Sequence, residues 1–248
     1  MQRKELEEMS AVESDHWWFT GKRLFMRRLL GEHLRGARLR ILDVGCGTGA
    51  NAVELSTYGE VTACDRSLDA LGMAAGRGVH RLCAASAPDL PFAPGMFDVV
   101  TVFDIIEHVE DDAGFLRDLE RVLAPGGALA IHVPAWPSLW SGHDEILEHK
   151  RRYTRRSLRA LLDRSNLRIA HLGWASCAIF PPTAAVRWTR RLTGGGQEAA
   201  DLGIVPPPLN TVLRAVYRVE AELAATVGLP FGVSLAVIAV KPSIRVRD

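Results

Sequence analysis

The sequence predicts an α/β fold: a doubly wound, mostly parallel sheet with helices on both faces. Three observations carry this. Short β-rich runs, RLRILDV (38–44), VTACD (61–65), FDVVTVF (97–103) and ALAIHVP (128–134), alternate with helix-like segments, and strands that alternate with helices pair in parallel and are covered on both faces. The first run opens directly into the glycine-rich turn Asp43-Val-Gly-Cys-Gly-Thr-Gly49. The second ends on an acid, Asp65.

The elements follow in order. In KRLFMRRLLGEHLR (22–35), Leu24, Phe25, Leu29, Leu30 and Leu34 stand at helical spacing, so an amphipathic helix precedes the first strand. Pro125-Gly126-Gly127 turns the chain between the helical AGFLRDLERVL and the strand at 128. RSLRALLDRSN (156–166) carries Leu158, Leu161 and Leu162 on one helical face, a strand follows near 167–172, and SLAVIAV (234–240) is the last strand. Between them, Pro181-Pro182, Gly194-Gly195-Gly196 and Pro206-Pro207-Pro208 punctuate residues 174–230, ahead of a helix carrying Val212, Leu213, Val216, Val219 and Leu223. This stretch reads as an inserted cap that builds an acceptor pocket, its apolar helix packed on the core or shaping a cavity.

The 248 residues suit one domain. Its parts are an N-terminal helical cover (1–37), a cofactor-binding core and lid (38–173), the inserted substrate cap (174–230), and the last strand and tail (231–248). Thirty basic residues against 29 acidic leave a net charge of +1, so no global field attracts nucleic acid or an anionic membrane. The four cysteines are far apart and include no C-x-x-C pair, which argues against a disulfide framework or a structural zinc site. The charged N-terminus, and the absence of an apolar run near the roughly 20 residues that span a bilayer, point to a soluble cytoplasmic protein.

Glycines between a strand and a helix let a ligand approach bare backbone. Their spacing here is G-x-G-x-G, not the dinucleotide fingerprint G-x-G-x-x-G. Asp65, ending the next strand, lies where a carboxylate accepts hydrogen bonds from ribose hydroxyls. Loop and acid together read as a nucleoside site.

With ILDVGCGTG (41–49), Asp65, APDLPF (87–92), FDVVTVFDIIEHVED (97–111) and RVLAPGG (121–127) in this order, the chain resembles a class I S-adenosylmethionine-dependent methyltransferase. The segment HWWFTGKR (16–23) resembles a subgroup acting on small molecules in natural-product and saccharide pathways. The resemblance implies a Rossmann-like, seven-stranded sheet and S-adenosylmethionine as cofactor, leaving as S-adenosylhomocysteine. It implies that Gly45, Cys46, Gly47 and Gly49 pass beneath the methionine part, that Asp65 holds the ribose, and that Asp43 orients the loop or meets the ammonium group. Arg66 either lies on the adenine face or is solvated. Many relatives bind the adenine amino group with an aspartate where this chain has Ser86, just before Ala87, and a hydroxyl can still hydrogen-bond there. Asp104 would face the substrate from a strand end. Glu107 and His108 would open the next helix near the cofactor edge, and His132 would lie in the core.

The segment 134–156, which contains GHDEILEHKRRYTRR (142–156), directly follows a strand at its carboxyl end, where ligands bind in such sheets, so it reads as a lid or substrate wall. His143, Asp144 and His149 are competent metal ligands, but two histidines six residues apart face different ways on a helix and the pattern is not H-E-x-x-H, so no metal is expected. Methyl transfer to an alcohol or ammonium also removes a proton, which suits histidine. The candidate catalytic residues are therefore His143, oriented by Asp144, with His149 the alternate; the competing reading is that all three only brace the lid. Arg152 and Tyr153 are candidate substrate contacts. So are Trp17 and Trp18, which with Phe19 either fold over the cleft or staple the first helix to the sheet.

The acceptor expected is a small molecule methylated on oxygen or nitrogen, with carbon less favoured, and the sequence does not fix the oligomeric state. Two alternatives stand beside it: an RNA or protein methyltransferase docking through the cations of 150–159, and a cofactor-binding protein without transferase activity.

Overall fold

A computed structural model describes residues 3–36, 38–193 and 205–243. The glycine run 194–196 and the tail 244–248 lie outside them. Seven strands form one sheet: β1 (Leu39–Val44), β2 (Gly59–Asp65), β3 (Arg81–Ala84), β4 (Phe97–Phe103), β5 (Leu123–Pro134), β6 (Arg168–Ala175) and β7 (Ser234–Val240). Their order is β3-β2-β1-β4-β5-β7-β6. The first five run parallel, while β7 is antiparallel to both β5 and β6. This is the mostly parallel, Rossmann-like sheet the sequence predicts. β3 escapes a sequence reading because it is only four residues long, Arg-Leu-Cys-Ala, with none of them fully buried.

The helices are α1 (Arg3–Val12), α2 (Trp17–Leu30), α3 (Ala50–Leu55), α4 (Leu68–Gly76), α5 (Asp112–Val122), α6 (Gly142–Ile146), α7 (Arg155–Leu162), α8 (Phe180–Thr193) and α9 (Pro207–Thr226). Their starts follow local chemistry: Ser67, Asp111 and Thr154 each accept a first-turn N–H of α4, α5 and α7, satisfying donors that otherwise have no partner. Glu107 and His108 form a single 3₁₀ turn, Ile106–His108, rather than opening a helix; Asp111, capping α5, fixes the helix start beyond them.

Two apolar layers sandwich the sheet. One gathers Phe97, Phe115, Leu119 and Leu158 under α5 and α7. The other gathers Phe25, Met26, Leu30 and Leu55 under α2 and α3. β7 is buried at every position, as a strand covered on both faces must be.

The inserted region corrects one expectation. α9 packs along α2, burying Asn210, Tyr217, Glu220, Ala221 and Ala224, while Val212, Val219 and Leu223 lie exposed. The apolar residues thus divide, with Leu213 and Val216 half-buried, and small and hydrogen-bonded residues fill the most buried positions. Tyr217 sits so close to α2 that a Cβ at Gly21 would lie 2.5 Å from its ring. α8 meets the lid instead: Arg187 Nη1 donates to the Leu139 carbonyl at 2.5 Å. No described helix is long and apolar enough to cross a membrane.

Candidate active site

Strand order reverses between β1 and β4, and the crevice at their carboxyl ends is where open α/β sheets bind ligands. The glycine turn forms one wall. Gly45 has φ +69°, and a Cβ there would stand 2.1 Å from Ile105 Cδ1. Gly49, at φ +89°, starts α3 against Ala74, 2.8 Å from where its Cβ would be. Both positions combine left-handed backbone with no room for a side chain. Asp65 ties the loop down, with Oδ2 accepting from the Gly47 N–H and Oδ1 from the Ser67 N–H, each at 2.9 Å; each oxygen keeps a second lone pair for a ligand.

Asp43 lies beneath the loop. Its Oδ1 accepts from Thr101 Oγ1 at 2.7 Å and Asn51 Nδ2 at 2.8 Å, while Oδ2 is buried without a partner. Burial pushes this carboxyl up to about 6, although the Thr101 and Asn51 hydrogen bonds pull it down. An orphaned, buried acceptor beside a glycine cradle fits the ammonium end of an aminoacyl sulfonium, and Asp65 fits its ribose. Cys46 is buried, which raises its thiol and keeps it neutral.

The cover over this loop is α1. Met9 Cε lies 3.4 Å from the Cβ position of Gly47, Thr48 Oγ1 donates to Glu13, and Arg77 pairs with Glu13 at 2.9 Å. Trp17 and Trp18 instead pack on Tyr217, at centroid distances of 5.7 and 6.2 Å, and the Trp17 N–H donates to Asn210 Oδ1. The two tryptophans thus join α2 to α9 rather than stapling the helix directly to the sheet.

Asp104 marks the far wall. It stands just past β4 at φ +55°, a sparsely populated conformation that costs free energy and tends to occur at functional sites. Lys22 Nζ donates to its Oδ2 at 2.5 Å, and His132 Nδ1 lies 2.7 Å from its Oδ1. Against the cost of burial, these two partners hold the carboxyl well below its ordinary range. Its side chain remains 31% exposed, enough to meet a ligand. Sequence reading missed Lys22, although it stands inside the quoted HWWFTGKR segment.

The lid closes the crevice. Asp144 is its buried hub: Oδ2 accepts from the Ser141 N–H at 2.9 Å, and Oδ1 from Arg152 Nε at 2.6 Å and His149 Nδ1 at 2.9 Å. Against burial, the His149 and Arg152 contacts hold this carboxyl well below its usual range. Asp144 therefore orients His149, not His143, because the intervening turn brings position 149 back over the start of α6. His143 is partly buried, and burial with nearby Arg187 lowers its ring below the ordinary value.

Arg152 is buried, with Nη1 on the Ala135 carbonyl at 2.9 Å, and Tyr153 is buried with its hydroxyl donating to Asp112 at 3.0 Å. Both brace the lid through these contacts. In the basic stretch Arg151 pairs with Asp112 at 2.8 Å, while Lys150, Arg155, Arg156 and Arg159 are exposed. Arg66 reaches across to Glu148 on the lid at 3.6 Å. His108, lowered to about 4 by burial and by His149, lines a cavity of about 440 Å³ with Arg66, Glu148, His149 and Lys150. Ser86 is exposed and Ala87 half-buried just beyond β3.

Comparison with known proteins agrees with this geometry. Residues 42–131 match the model of a methyltransferase domain. The chain is 32% identical over 200 residues to a demethylmenaquinone methyltransferase of Mycolicibacterium vanbaalenii, covering 71% of this chain and 81% of that one. It is 37% identical over 116 residues to the O-methyltransferase rstn1 of Aspergillus nomiae, covering 43% and 52% respectively. Geranyl diphosphate C-methyltransferase from Streptomyces coelicolor, solved with S-adenosylhomocysteine, shares the fold at TM-score 0.61 and 18% identity, over 90% of this chain and 80% of that one. The glycine cradle with its two aspartates and these similarities lead to one conclusion: the chain belongs to the class I S-adenosylmethionine-dependent methyltransferases.

Proposed function

We propose that this enzyme methylates an oxygen or nitrogen atom of a small-molecule acceptor held between Asp104 and the lid at 142–153. The observation that carries the reading is Asp104: a carboxylate at the β4 end, held ionised by Lys22 and His132, yet still partly exposed. Bound S-adenosylmethionine supplies an activated methyl group on sulfur. Asp43 and Asp65 bind and orient its two ends from opposite sides of the glycine turn. Asp104 accepts a hydrogen bond from the acceptor's O–H or N–H and fixes the direction of its lone pair. Because its carboxyl is held so low, Asp104 orients this hydrogen in the ground state; once the methylated atom carries the positive charge, the proton passes through this hydrogen bond or leaves with the product to solvent, giving the neutral ether or amine. The lid and α1 keep water out, and alignment of this kind supplies most of what a displacement at carbon needs.

The relatives support a small acceptor through what their names state, a demethylated menaquinone in one case and O-methylation in the other. Incubation with methyl-labelled cofactor and a cell extract separated into small molecules, RNA and protein tests the reading. Label in the small-molecule fraction, on oxygen or nitrogen, is the expected result. Label confined to RNA or protein, or carbon methylation alone, would overturn it.

A further inference from the structure

Glu107 is fully buried, and neither of its carboxylate oxygens has a hydrogen-bond partner. A bare buried anion is costly. Burial, with the nearby Asp104 charge, pushes its carboxyl well above the ordinary range. Two imidazoles stand beside it. His149 Nε2 is 4.0 Å from Glu107 Oε1, and the His108 ring lies 4.7 Å from the His149 ring, nearly perpendicular to it. One ligand atom from each residue falls within 4.8 Å of the other two.

The outer contacts fix which nitrogens are free. Asp144 is ionised and accepts from His149 Nδ1 at 2.9 Å, so Nδ1 carries the hydrogen and Nε2 turns a lone pair toward Glu107. His108 hydrogen-bonds the Glu148 backbone, leaving it one ring nitrogen for a ligand. A lone pair and a carboxylate oxygen 4.0 Å apart are too distant for a hydrogen bond. Two donors on one tetrahedral zinc-type ion stand roughly 3.3–3.6 Å apart, so a side-chain movement of about half an ångström brings this pair onto a shared ion. A histidine that gives its second N–H to a carboxylate is the usual outer arrangement of a metal ligand.

We propose that Glu107, His108 and His149 bind one first-row divalent cation of the zinc type. Two imidazoles and a carboxylate favour zinc, cobalt or manganese over magnesium or calcium. The sequence pattern conceals the site because two ligands come from the 3₁₀ turn after β4 and the third from the lid. The spacing argument against a metal concerned His143, Asp144 and His149, and the fold assembles a different trio. The cavity of about 440 Å³ reaches His108 and His149, so an ion there is open to exchange and to a ligand atom. Ion uptake does not require methyl transfer, so failure of either reading leaves the other standing.

The test titrates Co²⁺ alone into the chelator-treated full chain and follows its visible d–d absorption, then displaces it with Zn²⁺. One equivalent of Co²⁺, displaced by Zn²⁺, is expected. His108→Ala, which removes a partly exposed ligand and whose fold is checked by circular dichroism, is expected to weaken Co²⁺ binding at least roughly tenfold. Replacing the exposed His80 by Ala is expected to leave it unchanged. No spectral change up to millimolar Co²⁺, or equal affinity in the wild type and His108→Ala, would overturn the proposal.

Discussion

Lys22 Nζ stands 2.5 Å from Asp104 Oδ2 across 82 residues of sequence, tying the second helix to the end of the fourth strand. The cation keeps the carboxylate charged. For a carboxyl lowered in the fold, the stabilisation is present above its unfolded value near 4 and is lost as pH falls through the folded value. In Lys22→Met that depression shrinks, so both the loss of stability and the acid limb of activity move to higher pH. We expect a stability loss of about 1.5–3 kcal/mol at pH 7, as for a hydrogen bond to a charged group, and a turnover loss of about tenfold, one hydrogen bond's share of alignment. Urea unfolding at pH 7 and pH 4, with a pH–rate profile, checks both.

Asp43 gives the opposite sign. Burial raises its carboxyl to about 6, so in the free protein it costs stability once pH exceeds its unfolded value, and the cost is full above 6. Cofactor binding needs the charged form. Affinity for S-adenosylhomocysteine is therefore expected to fall as pH drops from 7 to 5, with a proton released on binding near pH 6. Calorimetry in buffers of different ionisation enthalpy measures that proton.

The N-terminal region separates into two roles. Trp17→Ala removes the stack on Tyr217 and is expected to cost about 1–3 kcal/mol of stability, less than for a fully buried tryptophan, with cofactor affinity unchanged. Deleting residues 1–12 removes Met9 from above the glycine turn and is expected to weaken cofactor binding several-fold. Thermal unfolding paired with cofactor titration distinguishes the two.

Within the lid, His143→Ala is expected to keep turnover within about threefold across pH 6–9, because Asp144 orients His149 rather than His143. Asp144→Asn is expected to cost about 3–5 kcal/mol, since it leaves the buried Arg152 without its anion. Chemical denaturation and steady-state rates on both variants test the assignment.

What was legible in the sequence is what neighbouring residues encode. The turn Asp43–Gly49, the acid Asp65 and the long apolar strands follow from local pattern, and each lies where expected. The pairs Lys22–Asp104 and Asp104–His132 were not legible, because the packing of α2 on the sheet makes the first and the pairing of β4 with β5 makes the second. Asp144 with His149 was misread because the chain reverses between them. The apolar residues of 212–223 signalled a helix correctly but not its buried face, which depended on Tyr217 meeting Gly21 of another helix, with Ala221 and Ala224 buried beside it on α9.

Titration of S-adenosylhomocysteine into the wild-type chain and into Asp65→Ala tests the central claim most directly. One molecule bound per chain, with affinity at least tenfold weaker in the variant, is the predicted result. No binding to the wild type, or the same affinity in both proteins, would contradict a cofactor held between the glycine turn and Asp65.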